Sequence, residues 1–273
     1  MKTLTLVPIG GLANRFYAIT SAIAFCKDYN VKLKVIWFKD KGMGADFHSL
    51  FELSEEVDKS NVEIIDAKWY HYIYDRPRKR NLWLPWLWQQ VIFDQILLEK
   101  DAYNKEITCF QKLQNKNKSY LVAFYPVYTK PSMLYLVSPK LYIREKIEYY
   151  KSLFGENVIG VHIRRTDNVL SINKSPLYLY IKVMAEAVKN DPNVKFYVAS
   201  DSKEEKERLK QIFCDKVYSL NCVSNRNSKE GIVDAIIELY LLSSTIKIYG
   251  SYASTYSTLA ANISNIECHI LSI

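Results

Sequence analysis

The chain has 273 residues, 49% of them hydrophobic, with 21 Tyr, 11 Phe and 5 Trp; that is enough apolar material for one large domain or two ordinary ones, and it argues against a disordered chain. Its formal net charge of +8 favours a polyanionic or phosphorylated partner, or an anionic membrane surface. There is no zinc-finger spacing, RNP-like aromatic signature or long basic run, so nucleic acid is not an expected partner; five scattered cysteines without CxxC spacing and four isolated histidines argue against a disulfide framework or a metal site.

The pattern Lys2–Val7 alternates Leu and Thr and predicts a first strand. The N-terminus turns polar too soon for a signal peptide or a spanning helix, so a cytoplasmic protein is expected, with room for peripheral contact at the inner face of a membrane. A turn at Pro8–Gly11 leads into a helix over 12–29, with Leu12, Phe16, Ile19, Ile23 and Cys26 on its buried face. Glycines between a strand and a helix form a candidate phosphate cradle, with Asn14 and Arg15 facing the same space; a lone Gly-Gly is more often a plain turn.

Strands are predicted at 31–38, 62–65 and 119–125, with helices at 46–54 and 138–153. Between them lies a basic knot, Arg76–Arg80 (RPRKR), followed by NLWLPWLW at 81–88. The plain reading is a core helix behind a solvated basic loop; the others are a sugar-stacking wall or a patch on anionic headgroups. Pro85 is tolerable if it opens a helix, which leaves Trp83 partly exposed in the preceding loop and Trp86 and Phe93 buried.

The second half alternates regularly: strands at 158–163, 195–199, 217–220, 246–249 and 267–271, and helices at 176–190, 202–213, 231–244 and 254–263. β-branched strands alternating with helices imply a parallel sheet. Three strand-to-helix junctions carry polar residues: HIRRTD at 162–167, ASDS at 199–202 and YGSYASTYS at 249–257. In a parallel sheet these open on one edge, where ligands gather. His162 and Arg164 share one face of the first strand if it continues, while Arg165 turns inward to pair with Asp167. Asp201 or Ser202 could equally cap the next helix. A bidentate arginine, a carboxylate and a hydroxyl-rich helix start together describe a nucleoside diphosphate site.

GGLANR at 10–15, HIRRTD at 162–167, ASD at 199–201 and STYS at 254–257 occur in the order found in the GDP-fucose-dependent fucosyltransferases, and the chain resembles that superfamily. The resemblance covers the start of the chain and most of its second half. It implies an α/β, GT-B-like architecture: an acceptor-side domain at 1–154 and a Rossmann-like GDP-sugar domain at 155–273, facing each other across a cleft. It also implies inverting transfer of fucose from GDP-fucose, with no metal or other cofactor, to a glycan or lipid-linked glycan such as those of bacterial surface polysaccharide. Another GDP-sugar, or a non-catalytic basic glycan- or nucleic-acid-binding module, are the alternatives.

By motif position Arg164 would hold the β-phosphate and His162 would lie near guanine and ribose. Asp201 would accept from the guanine edge, Ser254 and Thr255 would contact the diphosphate, and Gly11 and Asn14 would reach across from the first domain. Arg164 and Asp167 are the catalytic candidates; Asp167 and Glu230 are carboxylates that position offers for a base, and both also read as structural. Thr258–Leu259 departs from the aromatic pair of the α-1,2 type, so that linkage is not expected.

Overall fold

The computed structural model describes residues 2–102, 112–166, 168–222 and 225–273, and no helix among them is long and apolar enough to cross a membrane. The chain forms two compact units, one of Met1–Lys140 with Arg226–Ile232 and one of Leu141–Asn225 with Val233–Ile273. Helix Leu141–Lys151, placed before the boundary at 154 in the sequence reading, therefore goes with the second unit.

In the first unit, strands β1 (Thr3–Pro8), β2 (Lys32–Trp37), β4 (Val62–Asp66), β5 (Gln95–Leu97) and β6 (Lys118–Ala123) form one parallel sheet in the order β4-β2-β1-β6-β5. Central β1 is flanked on both sides, which buries Leu4, Leu6 and Val7. Helix α1 (Leu12–Tyr29) is buried nearly all round, with Ala13, Ala18, Ala22 and Ala24 letting it pack closely. It ends at Asn30 in the left-handed region, whose N–H returns to the Cys26 carbonyl.

Two expected helices are shortened by one small sheet. Only Phe47–Leu50 of the 46–54 stretch is helical, because Phe51–Leu53 (β3) pairs antiparallel with Val137–Pro139 (β7). The helix expected from 138 accordingly starts at Leu141.

The aromatic segment departs further from expectation. Helix α2 (Leu84–Ile92) has Pro85 in its first turn, with Trp83 ahead of it and 52% exposed, as the sequence implies. Trp86, however, is 42% exposed rather than buried, and Phe93 is only partly buried against Tyr74 and Tyr120. The reason lies in the side the helix turns inward: Pro85 and Gln89 are buried, and Gln89 Nε2 donates to the carbonyls of Ile73 and Asp75, each at 3.0 Å. Two buried hydrogen bonds fix the helix by its polar face.

The second unit holds β8 (Val158–Ile163), β9 (Lys195–Ser200), β10 (Val217–Tyr218), β11 (Lys247–Ser251) and β12 (Glu267–Leu271), all parallel, in the order β10-β9-β8-β11-β12. Its helices are α3 (Leu141–Lys151), α4 (Leu177–Asn190), α5 (Lys203–Phe213), α6 (Lys229–Ser243), whose first turn belongs to the first unit, and α7 (Thr255–Ser264). Ile159, Val161 and Ile163 point one way, into a core with Tyr180 and Met184 of α4, Phe196 of β9 and Leu209 of α5. The period of two thus sends His162 to the opposite face.

Candidate active site

The sheet of the second unit runs outward from β8 through β9 to β10, then resumes on the other side of β8 with β11 and β12. The order reverses between β8 and β11, and the crevice beyond the carboxyl ends of strands at such a reversal is where open α/β sheets bind ligands. The chain leaves β8 into Arg164 and leaves β11 at Ser251, so both residues stand at that point.

Ser251 ties the two strand ends together. Its buried hydroxyl donates to the His162 carbonyl at 3.1 Å, accepts from the Arg164 N–H at 2.9 Å, and lies 2.7 Å from the hydroxyl of buried Tyr180. With its proton given to His162, Ser251 accepts from Tyr180, which saturates the hydroxyl. Burial pushes the Tyr180 phenol up, so it stays a donor. A second brace holds the loop after β11: Asn168 Nδ2 donates to the Ala253 carbonyl at 2.9 Å, and the Tyr252 N–H donates to Ser175 Oγ at 2.8 Å.

Asp201, just past β9, organises the loop after β8. One carboxylate oxygen accepts from the Arg165 N–H at 2.7 Å; the other accepts from Thr166 Oγ1 at 2.7 Å and from Arg164 Nη1 at 2.8 Å. Helix capping falls to its neighbour, since the Ser202 side chain accepts from the Glu205 N–H. Arg165 is tied into the loop by three donors. Its Nε donates to Glu205 at 2.7 Å, and its two Nη groups donate to the carbonyls of Arg164 and Ser175. Glu205, in the first turn of α5, approaches from the next strand-to-helix junction; the expected pairing of Arg165 with Asp167 falls on a residue outside the described ones.

His162 is buried, its ring centroid 4.8 Å from that of Tyr256 on α7, and among the described residues its Nδ1 has no partner. Burial, opposed by Asp201 and reinforced by Arg164, lowers its pKa to about 4, so the ring is neutral at physiological pH. Ser254 stands at the N-cap of α7 without using its hydroxyl to cap, and Thr255 opens the helix. Arg164, Asp201 and His162 therefore meet in one unit, beside the switch point that also brings up Ser254 and Thr255. Ser251, Ser175, Tyr180 and Glu205 are the supports the sequence reading missed; Ser251 lay inside the hydroxyl-rich stretch, but nothing in its spacing marked it as the tie between strands.

In the first unit, Gly10 has φ +82°, which allows the turn after β1, and Gly11 is the N-cap of α1, with open space where a Cβ would stand. Asn14 is half-buried in the first turn. Arg15 corrects the sequence reading, for it does not face a ligand. It is fully buried, donating from Nε to the Gly10 carbonyl at 2.9 Å, from Nη1 to the Phe38 carbonyl at 2.6 Å and from Nη2 to Asp40 at 2.7 Å, over the Trp37 ring. Burial lowers its pKa to about 10, still charged at neutral pH. Glu230 is exposed in the first turn of α6, and among the described residues no group of three potential metal ligands occurs.

Two parallel-stranded α/β units, one with a 3-2-1-4-5 sheet and an arginine at its switch point, define a Rossmann-type architecture. No family model matches the chain, and no curated protein matches it in sequence. Among solved structures the fold is that of the GDP-fucose fucosyltransferases. NodZ α-1,6-fucosyltransferase soaked with GDP-fucose matches with a TM-score of 0.65 and 18% identity over 96% of this chain and 92% of that one. A second match is POFUT1 in complex with GDP, with a TM-score of 0.58 and 10% identity over 100% and 98%. A third is a variant of Arabidopsis thaliana FUT1 in complex with GDP, with a TM-score of 0.66 and 15% identity over 98% and 70%. The α/β, GT-B-like fold implied by the motif resemblance is thus the fold observed.

Proposed function

We propose that the protein is an inverting glycosyltransferase that moves fucose from GDP-fucose to a glycan or lipid-linked glycan, with the donor held by the second unit. The observation that carries this reading is Arg164 at the β8–β11 switch point, beside the amino end of α7 and the buried, neutral His162. Its support is the shared fold with fucosyltransferases whose structures are complexes with GDP or were soaked with GDP-fucose.

The chemistry follows from charge. As the bond from the sugar to the diphosphate breaks, negative charge grows on the leaving oxygens and must be neutralised. A guanidinium grips two oxygens and keeps its proton, and the α7 dipole adds to it. Arg164 holds Asp201 in the structure; on binding it would turn to the β-phosphate, which leaves Thr166 alone on that Asp201 oxygen and opens a lone pair there to the guanine N1 and N2 edge, while the other oxygen stays on the Arg165 N–H. The orphaned Nδ1 of His162 would find its partner on the nucleoside, and Ser254 and Thr255 would contact the diphosphate. In the first unit Gly11 and Asn14 keep the roles implied by their motif. With the Arg164 guanidinium and the α7 dipole at the diphosphate, transfer is expected to need no metal.

A thermal-shift series tests this. GDP and GDP-fucose at about a hundred times their dissociation constant should stabilise the protein by roughly 2.7 kcal/mol, a few degrees at this size, while UDP and ADP leave it unchanged. Transfer should continue in excess EDTA. An equal shift with UDP would remove the guanine reading, and activity lost to EDTA and restored by magnesium or manganese would remove the metal-independent one.

A further inference from the structure

Helix α2 is built inside out. The side it turns to the protein carries Pro85 and the hydrogen-bonded Gln89, while Leu84, Trp86, Leu87, Trp88 and Val91 are exposed, Val91 at 84%. Single exposed apolar side chains are ordinary, but a continuous face of them is not. Trp83 before the helix and Trp69 on the turn packed against it extend the face, so that four of the chain's five tryptophans are exposed in this one region; the fifth, Trp37, is buried in the core.

The segment that leads into this face and forms it is basic, with Asp75 and exposed Asp94 at its two ends. From 76 to 93 the chain carries Arg76, Arg78, Lys79 and Arg80 and no Asp or Glu. Arg76 and Arg78 are paired with Glu99 and Asp75, whereas Lys79 and Arg80 are exposed and, among the described residues, have no ion-pair partner.

We propose that this face docks the protein on the surface of an anionic lipid bilayer, with the tryptophans at headgroup level, Leu87 and Val91 among the upper acyl chains, and Lys79 and Arg80 on acidic headgroups. The inference goes beyond the transferase reading and does not rest on it. Tryptophan suits this level because one side chain has both an apolar ring and an N–H that stays wet. A nine-residue helix lies on a bilayer and does not span it, since spanning takes about 20 residues. A second copy of the chain fits worse, because a two-fold contact on this face would bring Lys79 and Arg80 of both copies together. An acceptor sugar stacks on one or two rings and leaves most of the face uncovered. The buried Gln89 contacts and the left-handed backbone at Leu82 and Trp83 hold the face ready before contact.

The test is flotation of the full-length protein with vesicles of phosphatidylcholine, with and without phosphatidylglycerol, read together with tryptophan emission. Flotation and a blue shift are expected with phosphatidylglycerol, weakening as salt rises. Lys79→Glu with Arg80→Glu should lower partitioning by about fivefold or more per cation. Leu87→Gln with Val91→Gln should lower it by about tenfold or more with the melting temperature kept, since both side chains are exposed. The proposal is overturned if the folded protein fails to float with either vesicle, or if both variants float like the parent. It is also overturned if the Leu87/Val91 change abolishes a lipid-free dimer, which assigns the face to a second copy, or if a soluble oligosaccharide alone gives the blue shift, which assigns it to the acceptor.

Discussion

Arg15 and Arg164 both follow the central strand of a parallel sheet, Arg164 directly at the carboxyl end of β8 and Arg15 in the first turn of the helix after β1, and the protein uses them in opposite ways. Arg15 gives Nε, Nη1 and Nη2 to protein acceptors and has no exposed surface. Arg164 keeps 17% of its side chain exposed and rests on Asp201, whose other oxygen already fixes the loop. The surroundings account for the difference. Around Arg15 two backbone carbonyls and Asp40 converge within hydrogen-bond reach, which makes it a rivet between the β1 turn and the end of β2. Around Arg164 the carbonyl-rich neighbourhood belongs to Arg165 instead, and the next residue along takes the structural task. A doubled arginine divides the work: one holds the loop, and the other is the one proposed to meet the diphosphate.

The largest expected effect is on the rivet. Arg15→Met should lower stability by about 3–5 kcal/mol, because it leaves Asp40 and the Gly10 and Phe38 carbonyls without their donor. Urea unfolding measures this, and an unchanged midpoint would erase the contrast between the two arginines. Arg164→Lys should show the reverse profile. Lysine keeps a cation beside Asp201, so the melting point should hold, while turnover falls by about 2.7–4 kcal/mol, roughly a hundred- to a thousandfold, if the bidentate grip strengthens as the diphosphate leaves. Normal turnover in Arg164→Lys would show that the charge alone suffices there.

A smaller effect, of the order of 3 kcal/mol at most, concerns the neutral ring next to Arg164. The folded state holds His162 unprotonated down to about pH 4, while an unfolded histidine takes up its proton near 6.5. Between those values the unfolded chain binds more protons, so stability should fall as pH drops from about 6.5 to 4. Comparing the parent with His162→Gln isolates this contribution, and parallel pH profiles for the two proteins would show that His162 is not held neutral by burial.

Much of this organisation was visible in the sequence. Helix Leu12–Tyr29 and strands Val158–Ile163 and Glu267–Leu271 fall where periodicity put them, because a buried helix or strand writes its spacing into the chain. The junctions of the second half were legible for the same reason, since a parallel sheet brings all its carboxyl ends to one edge. What escaped was partnership and direction. Glu205 lies far along the chain from Arg165, and nothing local distinguishes it from the solvated charges around it. Arg15 looked like a ligand residue because residue type does not reveal that two carbonyls stand within reach. In α2 the apolar spacing was read with the usual rule that apolar means inward, and two hydrogen bonds from Gln89 reverse that rule.

The contact between Gly44 and the far segment has a consequence for how the protein is made. Gly44 N–H donates to the Arg226 carbonyl at 2.8 Å, and a Cβ there would lie 2.1 Å from the Asn227 carbonyl carbon, so no larger residue fits without moving backbone. Arg226–Ile232 is thus an integral part of the first unit, although β8, β9 and β10 of the second precede it along the chain. On the ribosome, domains ordinarily close in the order they emerge. Here the first unit is synthesised first but finished late: it waits with an unfilled place beside Gly44 until residue 232 has left the exit tunnel, by which time three strands of the other sheet are already out. Nascent chains halted before Arg226 should therefore remain protease-sensitive around Gly44, and a stop codon between Leu141 and Asn225, although it lies in the second unit, damages the first.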